Sequence, residues 1–200
     1  SWNEVFNIIK SKFKNSQNDR ICGMTGDLVN METQYLFKEF FNKTLGSYNV
    51  ESRSDHTYLN PEKRENYLFN STINGIEDAD FIFMIGSNPR YEATILNARI
   101  RKAYLQNKTK IVSLNDVGDL TYPYEALNGD IENIKKITEN NHELSDIIKN
   151  AKKPLIIFGQ NSLKGKSAKY IFESIKSFLD NNGKISNEWN SLNTISENAS

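Results

Sequence analysis

Cysteine and histidine are nearly absent from this chain. Cys22 is the only cysteine among 200 residues, so no disulfide can form within the chain. An iron–sulfur cluster held by this chain alone is excluded for the same reason, because such clusters need several thiolate ligands. The two histidines, His56 and His142, lie far apart and neither belongs to a paired ligand motif. We therefore expect no zinc site.

Excess charge and long apolar runs are also missing. The 25 basic and 25 acidic side chains balance, which argues against a nucleic-acid partner because phosphate binding needs a basic surface. No apolar run approaches the roughly 20 residues that span a bilayer, and no signal peptide is evident. We expect no direct membrane insertion and a reducing compartment. Because the chain lacks an initiator Met and stops in polar sequence, we also expect a piece of a longer protein.

The strongest positive signal lies in residues 78–90. Phe81 to Ile85 is apolar throughout, which predicts a strand buried on both faces, as in a parallel sheet covered by helices on each side. Gly86 lets the backbone turn, Asn88-Pro89 ends the strand, and a helical pattern follows from Glu92 to Leu105. In folds of this kind ligands sit in the crevice at the carboxyl ends of the strands. The segment therefore marks the position where a ligand would bind.

Strand and helix patterns alternate along the rest of the chain. The alternation predicts an α/β fold, a doubly wound, mostly parallel sheet of about five strands with helices on both faces. We predict one domain over residues 1–183 and a loosely held polar tail over residues 184–200. The other predicted strands are Arg20–Met24, Tyr48–Glu51, Lys110–Leu114 and Pro154–Gly159. Helical patterns cover residues 2–13, 30–46, 67–75, 92–105, 130–150 (one or two helices) and 168–183.

Two glycine-containing turns resemble parts of nucleotide-binding motifs. Residues 159–167 follow a strand, precede a helix and end in Gly-Lys-Ser, but five residues separate the glycines where a phosphate loop needs four. We favour an ordinary strand-to-helix turn there. Gly23 and Gly26 form a fragment of the dinucleotide fingerprint without its third glycine, and a tight turn is favoured. Thr25 and Asp27 beside them leave nucleotide binding open as an alternative.

No residue pattern points to catalysis. Cys22 lies among apolar neighbours, so we predict a buried side chain rather than a nucleophile. Asp55 and His56 are adjacent, but no motif places a serine or cysteine near them. Arg99 and Lys102 share one helix face, which we interpret as solvated. No pair of carboxylates stands out for acid–base chemistry. We predict no catalytic and no metal-binding residue.

Five segments carry a family resemblance: residues 67–80, 85–93, 96–103, 119–123 and 189–193. They resemble the large iron–sulfur subunit of respiratory complex I, the proton-pumping NADH:quinone oxidoreductase. The resemblance covers most of residues 20–193, and its specific part is residues 67–103.

That subunit is similar to the molybdopterin oxidoreductases, and the resemblance places this chain in their dinucleotide-binding lobe. It implies that the turn at residues 86–89 corresponds to the turn that approaches the pterin in molybdoenzymes, and that Asp55 stands at the place of the molybdenum ligand. Residues 115–117 read Asn-Asp-Val where molybdoenzymes usually have Asp-Pro-Arg, so the arginine fork for a guanine or phosphate is missing. The resemblance thus implies a domain that keeps the fold and has lost the cofactor. The vestigial site candidates are Gly86, Ser87, Asn88, Pro89 and Asp55.

The resemblance implies a structural role within a larger enzyme. The chain is expected to be a cofactor-free scaffold domain, with 4Fe-4S and 2Fe-2S clusters in a cysteine-rich part outside it. The parent complex passes electrons from NADH through FMN and the clusters to quinone. Expected partners are other subunits of the peripheral arm, on the cytoplasmic side of the bacterial inner membrane or the mitochondrial matrix side. The alternatives are a molybdopterin guanine dinucleotide-binding lobe of an active molybdoenzyme and a small nucleotide-binding protein.

Overall fold

The computed structural model describes residues 1–26, 28–52 and 57–195. The chain divides into two units, residues 1–55 and residues 56–199, and each is described by itself. The candidate ligand crevice lies wholly in the second unit, which contains the larger sheet.

The sheet of the second unit is parallel throughout and doubly wound. Its five strands are β3 (Phe81–Ile85), β4 (Lys110–Ser113), β5 (Glu125–Ala126), β6 (Pro154–Phe158) and β7 (Leu192–Thr194). They lie in the spatial order β5-β4-β3-β6-β7. The strand of this sheet that comes first in sequence, β3, is therefore central: the chain adds β4 and β5 on one side of it and then β6 and β7 on the other. The direction reverses between β3 and β6, which pair along their full lengths.

The central strands are buried because both faces of the sheet are covered. Every residue of β3 and of β6 is buried, as their unbroken apolar sequences require. Side chains alternate between the faces, so that Phe81, Phe83 and Ile85 join one apolar cluster while Ile82 and Met84 join another. Two cores, one on each side of the sheet, hold the unit together.

Helices of the second unit present one apolar face each to these cores. Ile100 and Ala103 of the longest helix on one side are fully buried. On its outer face, Arg99 and Lys102 both pair with Glu77, so this face is tied to the preceding turn rather than simply solvated. The α-helices of this unit are α3 (Pro89–Glu92), α4 (Thr94–Asn107), α5 (Ile131–Thr138), α6 (Glu143–Asn150) and α7 (Ala168–Asn181). Shorter 3-10 turns cover Arg64–Tyr67, Asn74–Asp78 and Gln160–Leu163.

A hydrogen-bonded cluster fixes the start of the second unit on α7. Tyr58 donates its phenolic hydrogen to Glu173 Oε1 at 2.6 Å, and Asn60 Nδ2 donates to the same oxygen at 2.8 Å. Burial and this hydrogen bond to Glu173 raise the pKa of Tyr58 to about 12. Burial acts to raise the pKa of Glu173, but the two hydrogen bonds and the charges of Lys176 and Lys169 together outweigh it, and the pKa is lowered. The cluster therefore pairs a neutral phenol with an ionised carboxylate.

The first unit is smaller and less buried. Its strands β1 (Gly23–Met24) and β2 (Val50–Glu51) form a separate two-stranded parallel pair. Its helices are α1 (Trp2–Lys14) and α2 (Met31–Glu39), the latter continued by a π-helical turn over Phe40–Leu45. Gly46 ends this helix in the left-handed conformation at φ 63°. Neither α-helix buries a single side chain.

The predicted fold class is confirmed, but the members of the sheet differ from those predicted. The strands predicted at residues 20–24 and 48–51 belong to the separate β1–β2 pair and not to the large sheet. Their places are taken by β5 and β7, which the sequence did not indicate. Residues 67–75 form no single helix, since 3-10 turns occupy Arg64–Tyr67 and Asn74–Asp78.

The domain boundaries also differ from those predicted. One domain was expected over residues 1–183, whereas the chain forms two units. The loosely held tail is wrong for its described part, because residues 192–194 form the buried strand β7. Asn193 is fully buried there: its Oδ1 accepts from the Ser71 amide at 2.8 Å and its Nδ2 donates to Ser71 Oγ at 3.0 Å. A polar residue thus completes the sheet because every one of these groups finds a partner.

Candidate functional site

A crevice of about 380 Å³ opens where the direction of the sheet reverses, above the loops that follow β3 and β6. This is the position at which doubly wound folds bind their ligands. The loops after β4 and β5 form its other side. The lining residues are Gly86, Ser87, Asn88, Leu114, Asn115, Asp116, Val117, Gly129, Asn161, Ser162 and Ile171.

Two glycines let the β3 and β6 loops pack directly against each other. Gly86 adopts φ +61°, and a Cβ atom there would lie closer than 3.0 Å to the backbone of Ser162. A Cβ atom on Gly159 would lie equally close to Gly86 O and Ser87 Cα. Gly159 also donates its N–H to Ile85 O at 2.9 Å. The floor of the crevice is therefore backbone packed on backbone, with no space for a ligand between the loops.

The turn after β3 is closed by a carboxylate of its own. Glu92, the last residue of α3, accepts from the Asn88 N–H at 3.0 Å and from the Ser87 hydroxyl at 3.3 Å. Pro89 has no N–H to offer. A phosphate group at this turn would have to displace Glu92 from these donors and would meet its negative charge. The Asn88 N–H and the Ser87 hydroxyl are thus hydrogen-bonded to Glu92 rather than left for an anion.

Asn88 and Arg90 tie the β3 loop to the β4 loop. Asn88 Nδ2 donates to Val117 O at 3.0 Å, while Asn88 Oδ1 is buried without a hydrogen-bond partner. Arg90 donates to the Asp119 backbone oxygen at 2.6 Å and to its carboxylate at 2.8 Å. The backbone hydrogen bond from Thr121, followed by the one from Arg90, lowers the pKa of Asp119. Arg90 is therefore engaged by the protein itself.

Among the described residues that line the crevice, Asp116 is acidic and the others are uncharged. Asp116 accepts from the Gly118 N–H at 2.9 Å and from the Tyr124 hydroxyl at 2.8 Å, and these bonds lower the pKa of Asp116. Among the described residues that line the crevice, none is basic. A dinucleotide would bring at least two phosphates, which proteins recognise with arginine, lysine or helix N-termini. Neither arginine nor lysine is among the described residues that line the crevice.

The loop after β6 forms a strand-to-helix turn, the structure predicted for it. The turn Gln160–Leu163 follows the strand directly, and both the N–H and the hydroxyl of Ser162 donate to Gly159 O, at 3.1 and 2.8 Å. Lys164 donates back to the Gln160 side chain at 3.3 Å. The segment is thus folded on itself, and α7 begins only after it.

The candidates in the first unit give a mixed outcome. Gly23 is required by packing, because a Cβ there would lie closer than 3.0 Å to the rings of Phe37 and Phe41. The prediction for Cys22 is wrong: its side chain is exposed, since β1 begins only at the next residue and is too short to cover it. Asp27, Asp55 and His56 lie outside the described residues, so their predicted roles stay predictions.

The described part of the chain contains no cluster of three or more His, Cys, Asp or Glu side chains that could hold a metal ion. Among the same residues, no helix is both long and apolar enough to cross a membrane.

A comparison with protein families identifies the family of the chain. The family model described as molybdopterin oxidoreductase matches residues 1–200. The chain belongs to the molybdopterin oxidoreductase family. Gly86, Ser87 and Asn88 line the crevice, with Glu92 against their turn, and the correspondence of residues 86–89 to the pterin-approaching turn stays a prediction. Glu92 was given no role from sequence, although its spacing of four residues from Asn88, around a proline, is the available signal for a carboxylate folding back on the turn.

Curated relatives match the chain over its whole length. It is 34% identical over 214 residues to the NADH-ubiquinone oxidoreductase 75 kDa subunit of Reclinomonas americana and covers 31% of that protein. It is 30% identical over 199 residues to the mitochondrial NADH dehydrogenase [ubiquinone] iron-sulfur protein 1 of Solanum tuberosum, covering 27% of it. It is 34% identical over 208 residues to the mitochondrial NADH-ubiquinone oxidoreductase 78 kDa subunit of Candida albicans, covering 28% of it. The predicted resemblance is confirmed, and the chain spans less than a third of the length of these relatives.

Proposed function

We propose that residues 1–200 form a cofactor-free structural domain of the large iron–sulfur subunit of NADH:ubiquinone oxidoreductase. The observation that carries this proposal is the match, along the whole chain, to 75 and 78 kDa subunits of that enzyme. The parent enzyme transfers electrons from NADH through FMN and iron–sulfur clusters to quinone. In this proposal the clusters, 4Fe-4S and 2Fe-2S, lie outside residues 1–200, and the domain contributes packing surface to the arm that contains them.

The absence of a pterin nucleotide from the domain is supported by the chemistry of the crevice. Glu92 accepts the hydrogen bond of the Asn88 N–H, and no basic side chain is among the described lining residues. The loops after β3 and β6 touch through Gly86 and Gly159, which leaves no gap between them. The Glu92 carboxylate and the lack of described basic lining residues oppose a diphosphate in the crevice by occupation and by charge, and the contact of the two loops closes the space between them.

The partners in this proposal are the other peripheral-arm subunits, with no nucleic acid and no direct insertion into the membrane. The domain would face the cytoplasm in a bacterium or the matrix in a mitochondrion. No residue of the domain is assigned to the chemistry. Its contribution is to hold the subunit in shape around the electron path.

A metal and pterin measurement on the intact enzyme tests the proposal. The complex is purified with its full-length subunit, and molybdenum, tungsten and oxidised pterin fluorescence are quantified per FMN. We expect iron and FMN but no stoichiometric molybdenum, tungsten or pterin. Stoichiometric molybdenum with pterin would instead indicate a molybdopterin guanine dinucleotide-binding lobe and contradict the cofactor-free assignment.

Nucleotide addition separates the remaining alternative. ATP, NAD and NADP are added at millimolar concentration to residues 1–200 while thermal unfolding is followed. A ligand present at 100 times its Kd stabilises by about 2.7 kcal/mol, which would raise the Tm by several degrees. We expect no such shift. An increase with one of the three would favour a small nucleotide-binding protein and contradict the structural role.

A further inference from the structure

Exposed apolar side chains are concentrated in the first unit. Trp2 is 76% exposed, Phe6 59% and Phe40 45%, and Trp2 stacks on Phe6 with ring centroids 5.8 Å apart. Large apolar side chains that are exposed together mark a surface that contacts something else. Because an aromatic side chain has about 150–250 Å² to bury, these three alone leave roughly 300–400 Å² open.

Phe6 and Phe40 line a groove of about 570 Å³ that we call the α1 groove. One wall is the apolar face of α1, the other is the π-helical turn Phe40–Leu45, and the buried side chain of Ile21 lies between them. The walls are therefore two helical segments with an open slot between them. The lining residues are Phe6, Ile9, Lys10, Phe13, Lys14, Asn18, Ile21, Phe40, Thr44 and Leu45.

The α1 helix has little reason to be stable unless the groove is filled. It is 13 residues long, and helices of that length are marginal in water. A capping box helps: the Ser1 hydroxyl accepts from the Glu4 N–H, and the Glu4 side chain accepts from the backbone nitrogen of Ser1. Such a box contributes about 1 kcal/mol, and none of the helix's side chains is buried. A packing partner on its apolar face would supply the missing stabilisation.

The charge at the groove indicates the character of that partner. Lys10 and Lys14 lie one helical turn apart on α1, and both line the groove. Neither forms an ion pair with a described acidic residue. Other lysines of the chain do have such partners, as Lys43 has in Glu39. Two unpaired ammonium groups beside an apolar slot favour a partner that brings carboxylates to the same edge.

We propose that the α1 groove binds an amphipathic helix whose apolar stripe is flanked by acidic residues. A helix in a groove between two helical walls buries side chains at positions i, i+3, i+4 and i+7. The groove and the aromatic side chains beside it provide part of the roughly 800 Å² that each partner buries in an interface of standard size. The inference rests on the proposed function in one respect, that the chain acts inside a larger assembly.

Site-specific photo-crosslinking in the assembled enzyme tests the proposal. Phe6→p-benzoyl-L-phenylalanine is introduced into the full-length subunit, the purified complex is irradiated, and the adduct is identified by peptide mass spectrometry. The matched control is Tyr48→p-benzoyl-L-phenylalanine, at a site that is 80% exposed and does not line the groove. We expect Phe6 to yield one dominant adduct, on a helical segment with acidic residues beside its apolar positions. Tyr48 is expected to yield no such adduct.

A charge variant tests the electrostatic part. Lys10→Glu with Lys14→Glu is expected to lower the yield of the Phe6 adduct about five- to tenfold, because two weak attractions become repulsions, whereas Lys10→Arg with Lys14→Arg preserves it. Far-UV circular dichroism verifies that both pairs of substitutions leave the helix content unchanged. An adduct only within residues 1–48 of a second copy, an adduct on a segment that is not helical or not acidic, or none at all would overturn the proposal. The metal and pterin measurement is independent of every one of these outcomes.

Discussion

Gly159 offers a sharp test of how the crevice is built, because ordinary substitution rules and the packing of the two loops predict opposite signs. Its φ is −90°, which any residue can adopt, so Gly159→Ala has no cost from backbone strain. By itself the change would stabilise the fold by about 0.4–1 kcal/mol through the lower entropy of the unfolded chain. The new methyl group, however, would lie closer than 3.0 Å to Gly86 O and Ser87 Cα.

The packing effect is expected to win. Both neighbours are backbone atoms held by the sheet, so neither can swing away as a flexible side chain would. Overpacking of this kind costs about 1–3 kcal/mol, and we expect Gly159→Ala to fall near the upper end. For a chain of this size a loss of about 3 kcal/mol corresponds to a decrease in Tm of roughly 6–12 °C.

The assay is urea unfolding followed by tryptophan fluorescence in a Trp2→Phe background. The remaining indole, Trp189, lies in the second unit and donates to Pro154 O at 2.8 Å, so its signal reports unfolding of the crevice's own unit. Gly165→Ala is the matched control, because φ there is +88° but no atom lies within 4 Å. It is expected to cost about 1–2 kcal/mol from strain alone.

A stability of Gly159→Ala equal to or above that of the wild type would refute this reasoning. It would mean that the loops after β3 and β6 separate easily, and the shape argument against a ligand between them would fail with it. An intermediate loss of stability, equal to that of Gly165→Ala, would mean that the two loops shift slightly to accept the methyl group but stay in contact.

Three further predictions concern charged groups. Glu92→Ala is expected to cost about 2–3 kcal/mol and Glu92→Gln about 1 kcal/mol, because the amide keeps an acceptor but loses the charge; urea midpoints measure both. The hydrogen bonds from Lys102 and Arg99 lower the pKa of Glu77, so its contribution to stability is present above about pH 4.5 and is lost as the pH falls through the lowered value. Glu77→Gln is therefore expected to be less stable than the wild type at pH 7 but nearly equal to it at pH 3, while the exposed control Glu188→Gln matches the wild type at both; a constant gap for Glu77→Gln would contradict this. The interactions that raise the pKa of Tyr58 stabilise the fold below pH 10, and this contribution is lost as the pH rises through about 12. The stability gap between wild type and Tyr58→Phe should accordingly close in urea titrations between pH 9 and 12, and a gap that widens would contradict it.

The fold could be predicted where the sequence contains an unbroken apolar run, because such a run indicates a strand buried on both faces. The segments that became β3 and β6 are of this kind, and both were placed within a residue of their ends. The edge strands β5 and β7 could not be found this way. Glu125–Ala126 is only two residues long, and Leu192–Thr194 contains the buried Asn193, whose amide is satisfied by partners more than a hundred residues away. Such a strand depends on tertiary contacts that no local pattern reports.

The site was predictable as a place but not as a chemical environment. A strand that ends in Gly86 and Asn88-Pro89 identified the turn, because glycine and proline restrict the backbone locally. That Glu92 folds back on this turn depends on side-chain geometry, which spacing alone suggests only weakly. Cys22 shows the opposite error, since apolar neighbours predicted burial for a residue that lies just outside a strand too short to cover it.

The late position of β7 in the chain has a consequence for synthesis. Strand β6 is fully buried in the finished fold, yet its outer neighbour β7 is translated more than 30 residues later. Until then, β6 presents an apolar edge with unpaired backbone groups, the kind of edge to which other chains add. Closure of the sheet therefore awaits the emergence of residues 192–194 from the ribosome, and nascent chains short of that point are the species that most need protection from aggregation.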